Sequence, residues 1–172
     1  GNQGTWLSYC SDEYFQSLGL GTSEAATFEI AIGWPAGSLP ILYGQSLVNV
    51  AFYPTSQLTS FSLKVYSGAN LNTLIYCQPI LSYSPNQWNV VALNTPILLD
   101  NSTDFFVAVE VHQAVNEYPV AIDNQTAVAG YSDLVNISGE WHSLYDFGFN
   151  NNWLLKVFVA DIENTITALP MP

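Results

Sequence analysis

Apolar and polar side chains alternate along most of the chain with a period of two, and Gly, Pro, Asn and Ser separate the alternating runs. In the segment FSLKVYS, for example, Phe61, Leu63 and Val65 lie on one side, and the intervening residues lie on the other. Such alternation is typical of an antiparallel strand with one buried face. The clearest predicted strands are Thr27–Trp34, Leu47–Pro54, Phe61–Ser67, Leu74–Gln78, Trp88–Leu93, Asp104–Val111, Val120–Asp123 and Leu154–Asp161. Weaker patterns predict further short strands at Thr5–Cys10, Tyr131–Val135 and Trp141–Tyr145.

The run DFFVAVEV is apolar on both of its alternating faces, which predicts a central strand of a sheet. Helical periodicity is scarce, and the one predicted helical turn is Asp12–Leu18, with Ser11 as its cap. Roughly eight to ten strands with turn signals every ~8–12 residues predict an all-β fold, an antiparallel two-sheet β-sandwich of jelly-roll topology. We expect residues 1–163 to form a single domain and residues 164–172 to form a C-terminal arm or linker.

Charge excludes several classes of partner. The chain of 172 residues has 14 acidic residues against two basic ones, Lys64 and Lys156, and its formal net charge is −12. Nucleic acids are held mainly by Arg and Lys, so no nucleic-acid partner is expected. A surface coated by uncharged polar residues has few like charges to keep copies apart, which favours self-association. No apolar run approaches the ~20 residues of a membrane span, so none is predicted.

Cys10 and Cys77 are the two cysteines of the chain, and both fall in or beside predicted strands. If they form a disulfide, the long loop that it closes would contribute about 4 kcal/mol in the loop-entropy model. The alternative is two buried free thiols that pack as small apolar groups. Their spacing fits no zinc or redox motif.

A family resemblance spans most of Leu39–Ala160. It is carried by the segments YGQSLVNVAFYP, FSLKVYSG, LIYCQ, SPNQWNVVALNTPILLD, DFFVAVEV, YPVAIDNQTAVAGYSDLV and NNWLLKVFVA, together with the turn Gly139-Glu140-Trp141. In these segments the chain resembles extracellular adhesin-like jelly-roll modules of Bacteroidetes-type surface and secreted proteins, related to the cleaved-adhesin group. The resemblance implies a β-sandwich, a secreted or cell-surface location and a role in adhesion, with calcium bound in some members. The N-terminal segment Trp6–Gly21 does not match this pattern.

Calcium prefers carboxylate, carbonyl and amide oxygens that are supplied by irregular loops. The turn from Asp100 to Asp104 and the pair Asp123-Asn124 are rich in such oxygens, so Asp100, Asp104 and Asp123 are candidate ligands. The same residues are also ordinary turn formers, because Asp and Asn side chains bond to their own backbone.

Glycan recognition combines an aromatic platform with fixed polar groups. Aromatic residues at predicted strand ends or in loops are candidates for such a platform, although each is also suited to a packing role. They are Trp34, Tyr43, Tyr118, Trp141, Tyr145 and Trp153. Three Asn-x-Ser/Thr sequons, at Asn101, Asn124 and Asn136, fall in predicted loops and are either glycan acceptors or chance matches.

Catalysis has little support in the sequence. The two histidines, His112 and His142, lie at predicted strand ends, and no nucleophile motif accompanies them. A small glycoside hydrolase would need two carboxylates, and Glu29 and Glu110 are the candidates because they lie inside strands. The alternative is that both point to solvent on the outer face of a sheet.

We therefore expect a non-catalytic extracellular binding module that recognises a surface glycan or a protein partner. The alternative is a structural subunit that assembles with copies of itself into a filament, through an edge strand or a donated arm at Gly1–Leu7 or Asn164–Met171. A small glycoside hydrolase is the third and least supported hypothesis.

Overall fold

A computed structural model describes residues 4–21, 24–39 and 44–162. Within these residues the chain forms short antiparallel strands joined by turns, and its helical content is limited to single 3-10 turns. The strands are β1 (Gly4–Ser8), β2 (Gln16–Leu18), β3 (Ala26–Trp34), β4 (Ser46–Phe52), β5 (Ser60–Ser67), β6 (Thr73–Ile80), β7 (Asn89–Leu98), β8 (Phe105–Gln113), β9 (Val120–Ile122), β10 (Leu134–Ile137), β11 (Glu140–Ser143) and β12 (Leu155–Ala160).

The strands form three antiparallel sheets. A four-stranded sheet has the order β1-β12-β4-β7, a six-stranded sheet has the order β11-β10-β3-β8-β5-β6, and β2 pairs with β9. One apolar core draws its buried residues from both larger sheets, which therefore pack face to face. The predicted all-β sandwich is confirmed, while the jelly-roll topology stays a prediction.

The period-two pattern of the sequence accounts for the core. Leu63 and Val65 of β5 and Val107 and Val109 of β8 are fully buried, and they alternate with residues of the opposite face. Burying one such side chain contributes about 1.5–3 kcal/mol. As its two apolar faces predicted, β8 lies inside the six-stranded sheet, between β3 and β5.

The N-terminal region differs from the prediction. Residues 12–18 form no helical turn; instead β2 pairs with β9. The backbone amide of Ser11 donates to a carboxylate oxygen of Asp123, 2.9 Å away, rather than starting a helix. This long-range pairing overrides a weak local helical preference.

The edge strands bear on the predicted self-assembly. Residues Gly4–Leu7, part of one predicted donor arm, pair with β12 of the same chain as strand β1. The other predicted arm, Asn164–Met171, lies outside the described residues, as does the rest of the segment 164–172. Pro79 lies in edge strand β6 and Pro96 in edge strand β7, and proline is a common means of blunting an exposed edge.

In the part of the chain that the structure describes, no helix is long and apolar enough to cross a membrane.

Candidate functional site

The outer face of the six-stranded sheet, which points away from the core, carries a cluster of charged side chains. Glu29 of β3 and Glu110 of β8 are register partners on adjacent strands. Lys64 of β5 lies between them: its Nζ donates to Glu110 Oε2 at 2.6 Å and lies 3.6 Å from Glu29 Oε1. All three side chains are largely shielded, with 12–22% of their surface exposed. We call this the acid–lysine network.

Neighbouring polar groups extend the network at both ends. His112 Nε2 lies 2.8 Å from Glu110 Oε1, and Tyr66 Oη donates to Glu29 Oε1 at 2.6 Å. Burial raises the pKa of Glu110, but the hydrogen bonds from Lys64 and His112 outweigh it and hold that pKa below its usual value. Burial and then the bond to Glu29 raise the pKa of Tyr66, so its hydroxyl remains a donor. The network is therefore built to keep Glu110 ionised.

Beside the network, the same face contains a groove of about 480 Å³, which we call the outer groove. Its floor is a second, smaller apolar cluster, formed by outward-pointing residues of the sheet and by the turns that cover them. The residues that line it are Ala69, Asn70, Leu71, Asp104, Phe106, Gly130, Tyr131, Leu134, Trp141, His142, Ser143 and Asp146.

A glycine on β3 shapes the floor of the outer groove. Gly33 is the register partner of Phe106, and a Cβ at Gly33 would lie 1.9 Å from Phe106 Cδ1. The absence of a side chain lets the Phe106 ring lie across β3, where Tyr131 stacks on it with ring centroids 6.4 Å apart and an interplanar angle of 3°. The Gly33 amide also donates to the Tyr131 carbonyl at 2.8 Å, which fixes the turn that carries this ring.

Trp141 of β11 also lines the outer groove, and its contact with Tyr66 joins the groove to the acid–lysine network. Its ring meets Tyr66 edge to face, with centroids 5.7 Å apart and an interplanar angle of 83°. Tyr66 is in turn bonded to Glu29, so Tyr66 connects the indole to that carboxylate through two contacts. Both Trp141 and Tyr131 are half-buried, which leaves part of each ring accessible to a ligand.

The polar lining of the groove is acidic. Asp104 Oδ1 accepts the Ala36 amide at 2.8 Å, and Asp146 Oδ2 accepts the Ser143 amide at 3.3 Å in the capping box of the 3-10 turn Leu144–Phe147. A carboxylate has about four acceptor positions, so both groups retain capacity for a ligand donor. His142 and Ser143 add further polar groups. The arrangement suits a ligand with apolar faces and hydrogen-bond donors.

Of the five predicted aromatic platform residues that the structure describes, Trp141 alone is among the lining residues of the outer groove. Trp34 is only 8% exposed and stacks against Tyr9 and Phe105. With Leu39 and Asp100, Trp34 lines a small pocket of about 20 Å³, and its predicted role in ligand binding stays a prediction. It lies on the core-facing side of β3, in alternation with Gly33. Trp153 is also buried, and its indole N–H donates to the Leu134 carbonyl.

The remaining platform candidates lie away from the groove floor. Tyr145 is exposed on the 3-10 turn, one residue before the lining residue Asp146. Tyr118 is exposed in the loop between β8 and β9. Tyr43 lies outside the described residues.

The predicted calcium ligands lie in two separate turns, Asp100 and Asp104 between β7 and β8 and Asp123 after β9. Asp123 is fully buried, and both of its carboxylate oxygens accept N–H donors, from Ser11, Gln125 and Asn152. Asp100 Oδ1 accepts the backbone amide and hydroxyl of Ser102, as expected for an ordinary turn, and these bonds lower the pKa of its carboxyl group. Among residues 4–21, 24–39 and 44–162, no group of three or more His, Cys, Asp or Glu side chains is placed to hold a metal ion. Calcium binding stays a prediction.

The two cysteines are free thiols in the structure, so the predicted disulfide is not formed in it. Cys10 follows β1, where its thiol contacts the Leu155 carbonyl, whereas Cys77 is exposed on β6 at the edge of the other large sheet. Cys10 lies outside the strands and is half-buried, whereas Cys77 lies in an edge strand and is exposed, so the two thiols have different surroundings. Burial, followed by the charge of Asp123, raises the pKa of Cys10 to about 11.

Two of the three sequons lie in turns, as predicted. Asn101 is half-buried in the turn before β8, and Asn124 is exposed after β9. Asn136 lies within strand β10 rather than in a loop, and its side-chain oxygen accepts the Gly139 amide at 3.0 Å. The predicted loop position of Asn136 is wrong because β10 pairs with both β3 and β11.

The carboxylates proposed for a glycoside hydrolase do lie together on the outer face. A general acid in such an enzyme needs a raised pKa so that it is protonated before it acts. The bonds to Lys64 and His112 lower the pKa of Glu110 instead. The arrangement is that of an ion-paired network rather than of an acid and base pair.

Sequence reasoning missed Phe106, Tyr131, Asp146 and the role of Tyr66. A signal was present in part, because Phe106 and Tyr66 occupy the outward-pointing positions of β8 and β5. An aromatic residue at such a position indicates that something covers the face. What covers it, the turn at Tyr131, could not be placed without the pairing of the strands.

The chain was compared with protein-family models, with curated proteins and with solved structures. None of the three comparisons gave a match.

Proposed function

We propose that this protein is a non-catalytic extracellular binding module that recognises a glycan through the outer groove. The observation that carries the proposal is the pairing of two half-buried rings, Trp141 and Tyr131, with the carboxylates of Asp104 and Asp146 in one groove. Aromatic faces stack on the apolar faces of sugars, while carboxylates accept bonds from sugar hydroxyls.

The size of the groove supports a small ligand or a short stretch of a longer one. Its volume of about 480 Å³ falls within the range of ~300–1,000 Å³ that is common for small-molecule sites. The walls are held by backbone hydrogen bonds and by packed rings, as at Gly33 and Tyr66, so the groove is formed before a ligand arrives. A preformed site loses little conformational freedom on binding.

The extracellular location rests on the resemblance to secreted adhesin-like modules, and the lack of catalysis rests on the ion-paired state of Glu29, Glu110 and Lys64. Prolines lie in two of the four edge strands of the larger sheets, β6 and β7, and weigh against a filament built by pairing at those two edges. Glycan binding is therefore preferred to self-assembly.

The experiment is a glycan array followed by calorimetric titration of the glycans that are retained. Trp141→Ala should bind about tenfold more weakly or worse, since the loss of one stacked ring removes about 1.4 kcal/mol. Tyr118→Ala is the matched control, because Tyr118 is an exposed aromatic residue outside the groove. Equal affinity of Trp141→Ala and the wild type would place the binding site elsewhere, and an empty array would contradict the proposed function.

A further inference from the structure

The charged side chains that line the outer groove are mainly acidic. Its lining contains Asp104 and Asp146 and no lysine or arginine. The two lysines of the chain, which has no arginine, are both engaged elsewhere, and His142 is the one histidine of the lining. Lys64 is bonded within the acid–lysine network, whose two carboxylates leave it with a net negative charge, and Lys156 lies on the four-stranded sheet.

Lys156 cannot supply a positive charge to the groove. Its Nζ lies 3.0 Å from Asp12 Oδ1 and 4.3 Å from the centroid of the Trp88 ring. These contacts hold it on the opposite sheet, where it ties the N-terminal segment to β12. A ligand in the outer groove therefore meets carboxylates and aromatic rings, in a protein of formal net charge −12.

We infer that the outer groove selects glycans that carry a free, protonated amino group, that is, 2-amino sugars that are not N-acetylated. This inference rests on the proposed function and specifies its ligand. An ammonium group is attracted to the face of Trp or Tyr and forms charge-assisted bonds with carboxylates. Asp104, Asp146, Trp141 and Tyr131 supply both kinds of partner in one groove.

The same chemistry disfavours the related sugars. A uronate or a sulfated sugar would place its negative charge beside Asp104 and Asp146, where the lining offers His142 but no lysine or arginine to balance it. An N-acetylated sugar keeps the ring that stacks on Trp141 but loses the ammonium group, so the two carboxylates would gain only neutral donors. Charge should therefore rank the three classes of glycan in the order amino, neutral and acidic.

The test is calorimetric titration of the whole chain at about pH 6, where the amine of a 2-amino sugar still carries its proton although the neighbouring oxygens make it less basic than a lysine amine. Four oligosaccharides of matched length serve as probes, made of glucosamine, N-acetylglucosamine, glucose and galacturonic acid. We expect the glucosamine oligomer to bind about tenfold more tightly than the glucose oligomer, which corresponds to one charge-assisted contact. The preference should fall as salt is added.

Two conservative variants test whether Asp104 and Asp146 cause the preference for amino sugars. Asp104→Asn and Asp146→Asn each keep a side-chain oxygen for the backbone amide that the carboxylate now accepts, so the fold should be retained, which melting curves verify. Each should reduce the preference for the amino sugar several-fold while leaving the glucose oligomer nearly unchanged. Glu13→Gln is the control, since it removes an exposed carboxylate outside the groove lining.

The outcomes separate this inference from the proposed function. If neutral and amino oligomers bind equally, or if the preference persists in both aspartate variants, the inference is wrong while glycan binding in the groove stands. If none of the four probes binds and the array is also empty, both are wrong. A preference that disappears in Asp104→Asn or Asp146→Asn but persists in Glu13→Gln supports the inference.

Discussion

Glu29 and Glu110 are register partners on the two central strands β3 and β8, and their carboxylates converge on the same Lys64 ammonium group. Two like charges side by side on a sheet repel one another unless a cation lies between them. Here the cation is provided by the next strand of the sheet, β5, at 2.6 Å from Glu110 and 3.6 Å from Glu29. The arrangement links three strands through one side chain.

The ion pair of Glu110 predicts a pH-dependent stability. A carboxyl group whose pKa is lower in the folded state stabilises the protein above its unfolded pKa of about 4.3, and that contribution is lost as the pH falls through the folded value. Glu110→Gln should therefore reduce the free energy of unfolding by about 1 kcal/mol at neutral pH, and by progressively less below pH ~4. Urea denaturation at a series of pH values measures this difference. A deficit that stays constant from neutral to acidic pH would show that the loss comes from packing rather than charge.

The hydrogen bonds of Asp123 predict that even the conservative change Asp123→Asn lowers the stability of the protein strongly. Its buried carboxylate accepts a hydrogen bond from the Ser11 amide. It also accepts hydrogen bonds from both the backbone and the side-chain amides of Asn152, at 3.0–3.2 Å. Asp123→Asn would place an NH₂ group against these donors and leave at least one buried N–H without an acceptor. The free energy of unfolding should fall by at least about 2 kcal/mol, whereas Asn124→Ala at the exposed neighbour should change it little.

The same variant tests the predicted calcium site. Because both oxygens of Asp123 already accept N–H donors, a calcium ion would have to displace them. Any shift in melting temperature between calcium and a chelator should therefore be the same in the wild type and in Asp123→Asn. A calcium-dependent shift that disappears in the variant would place the ion at Asp123 after all.

The close contact between Gly33 and the Phe106 ring predicts that a substitution at Gly33 lowers both the stability of the protein and its affinity for a glycan. A methyl group at this position would overlap the Phe106 ring, so Gly33→Ala should displace the ring and the stacked Tyr131. Overpacking of this kind costs about 1–3 kcal/mol of stability, and we expect glycan affinity to fall with it. Urea denaturation and calorimetry measure the two effects. Adding Phe106→Leu, which shortens the side chain, should restore part of the stability but not the affinity; a single variant as stable as the wild type would contradict the account.

The period-two pattern predicted the strands well because burial of alternate side chains is a local property of the sequence. It could have placed Trp34 in the core, since Trp34 has the same spacing as Ile30 and Ile32 of the same strand. It could not distinguish the roles of Trp141 and Tyr145. Which of them lines a groove depends on the pairing of β10 with β3, a contact between residues about a hundred positions apart in the chain.

Two further predictions, the helical turn at residues 12–18 and the turn at Asp123, also failed because contacts between distant parts of the chain decided the outcome. The helical turn expected at residues 12–18 was a local preference that lost to the pairing of β2 with β9. Asp123 was expected in an oxygen-rich turn with Asn124, yet its carboxylate is buried and bonded to Asn152, which lies 29 residues further along the chain. Local chemistry predicts an element, and the partners of that element decide which of its side chains a ligand can reach.

The two thiols should differ sharply in reactivity. With the pKa of Cys10 raised to about 11, roughly one Cys10 thiol in a thousand is ionised at pH ~8, and the side chain is also half-buried. Cys77 is exposed on edge strand β6. Brief alkylation of the native protein without reductant should therefore modify Cys77 at least about tenfold faster than Cys10, as measured by mass spectrometry of the peptides.

Cys77→Ser should abolish the fast phase and Cys10→Ser should retain it, while unfolding without reductant should expose both thiols to the reagent. If neither cysteine is alkylated until a reductant is added, the chain contains the Cys10–Cys77 disulfide, and the separation of the two residues in the fold is wrong.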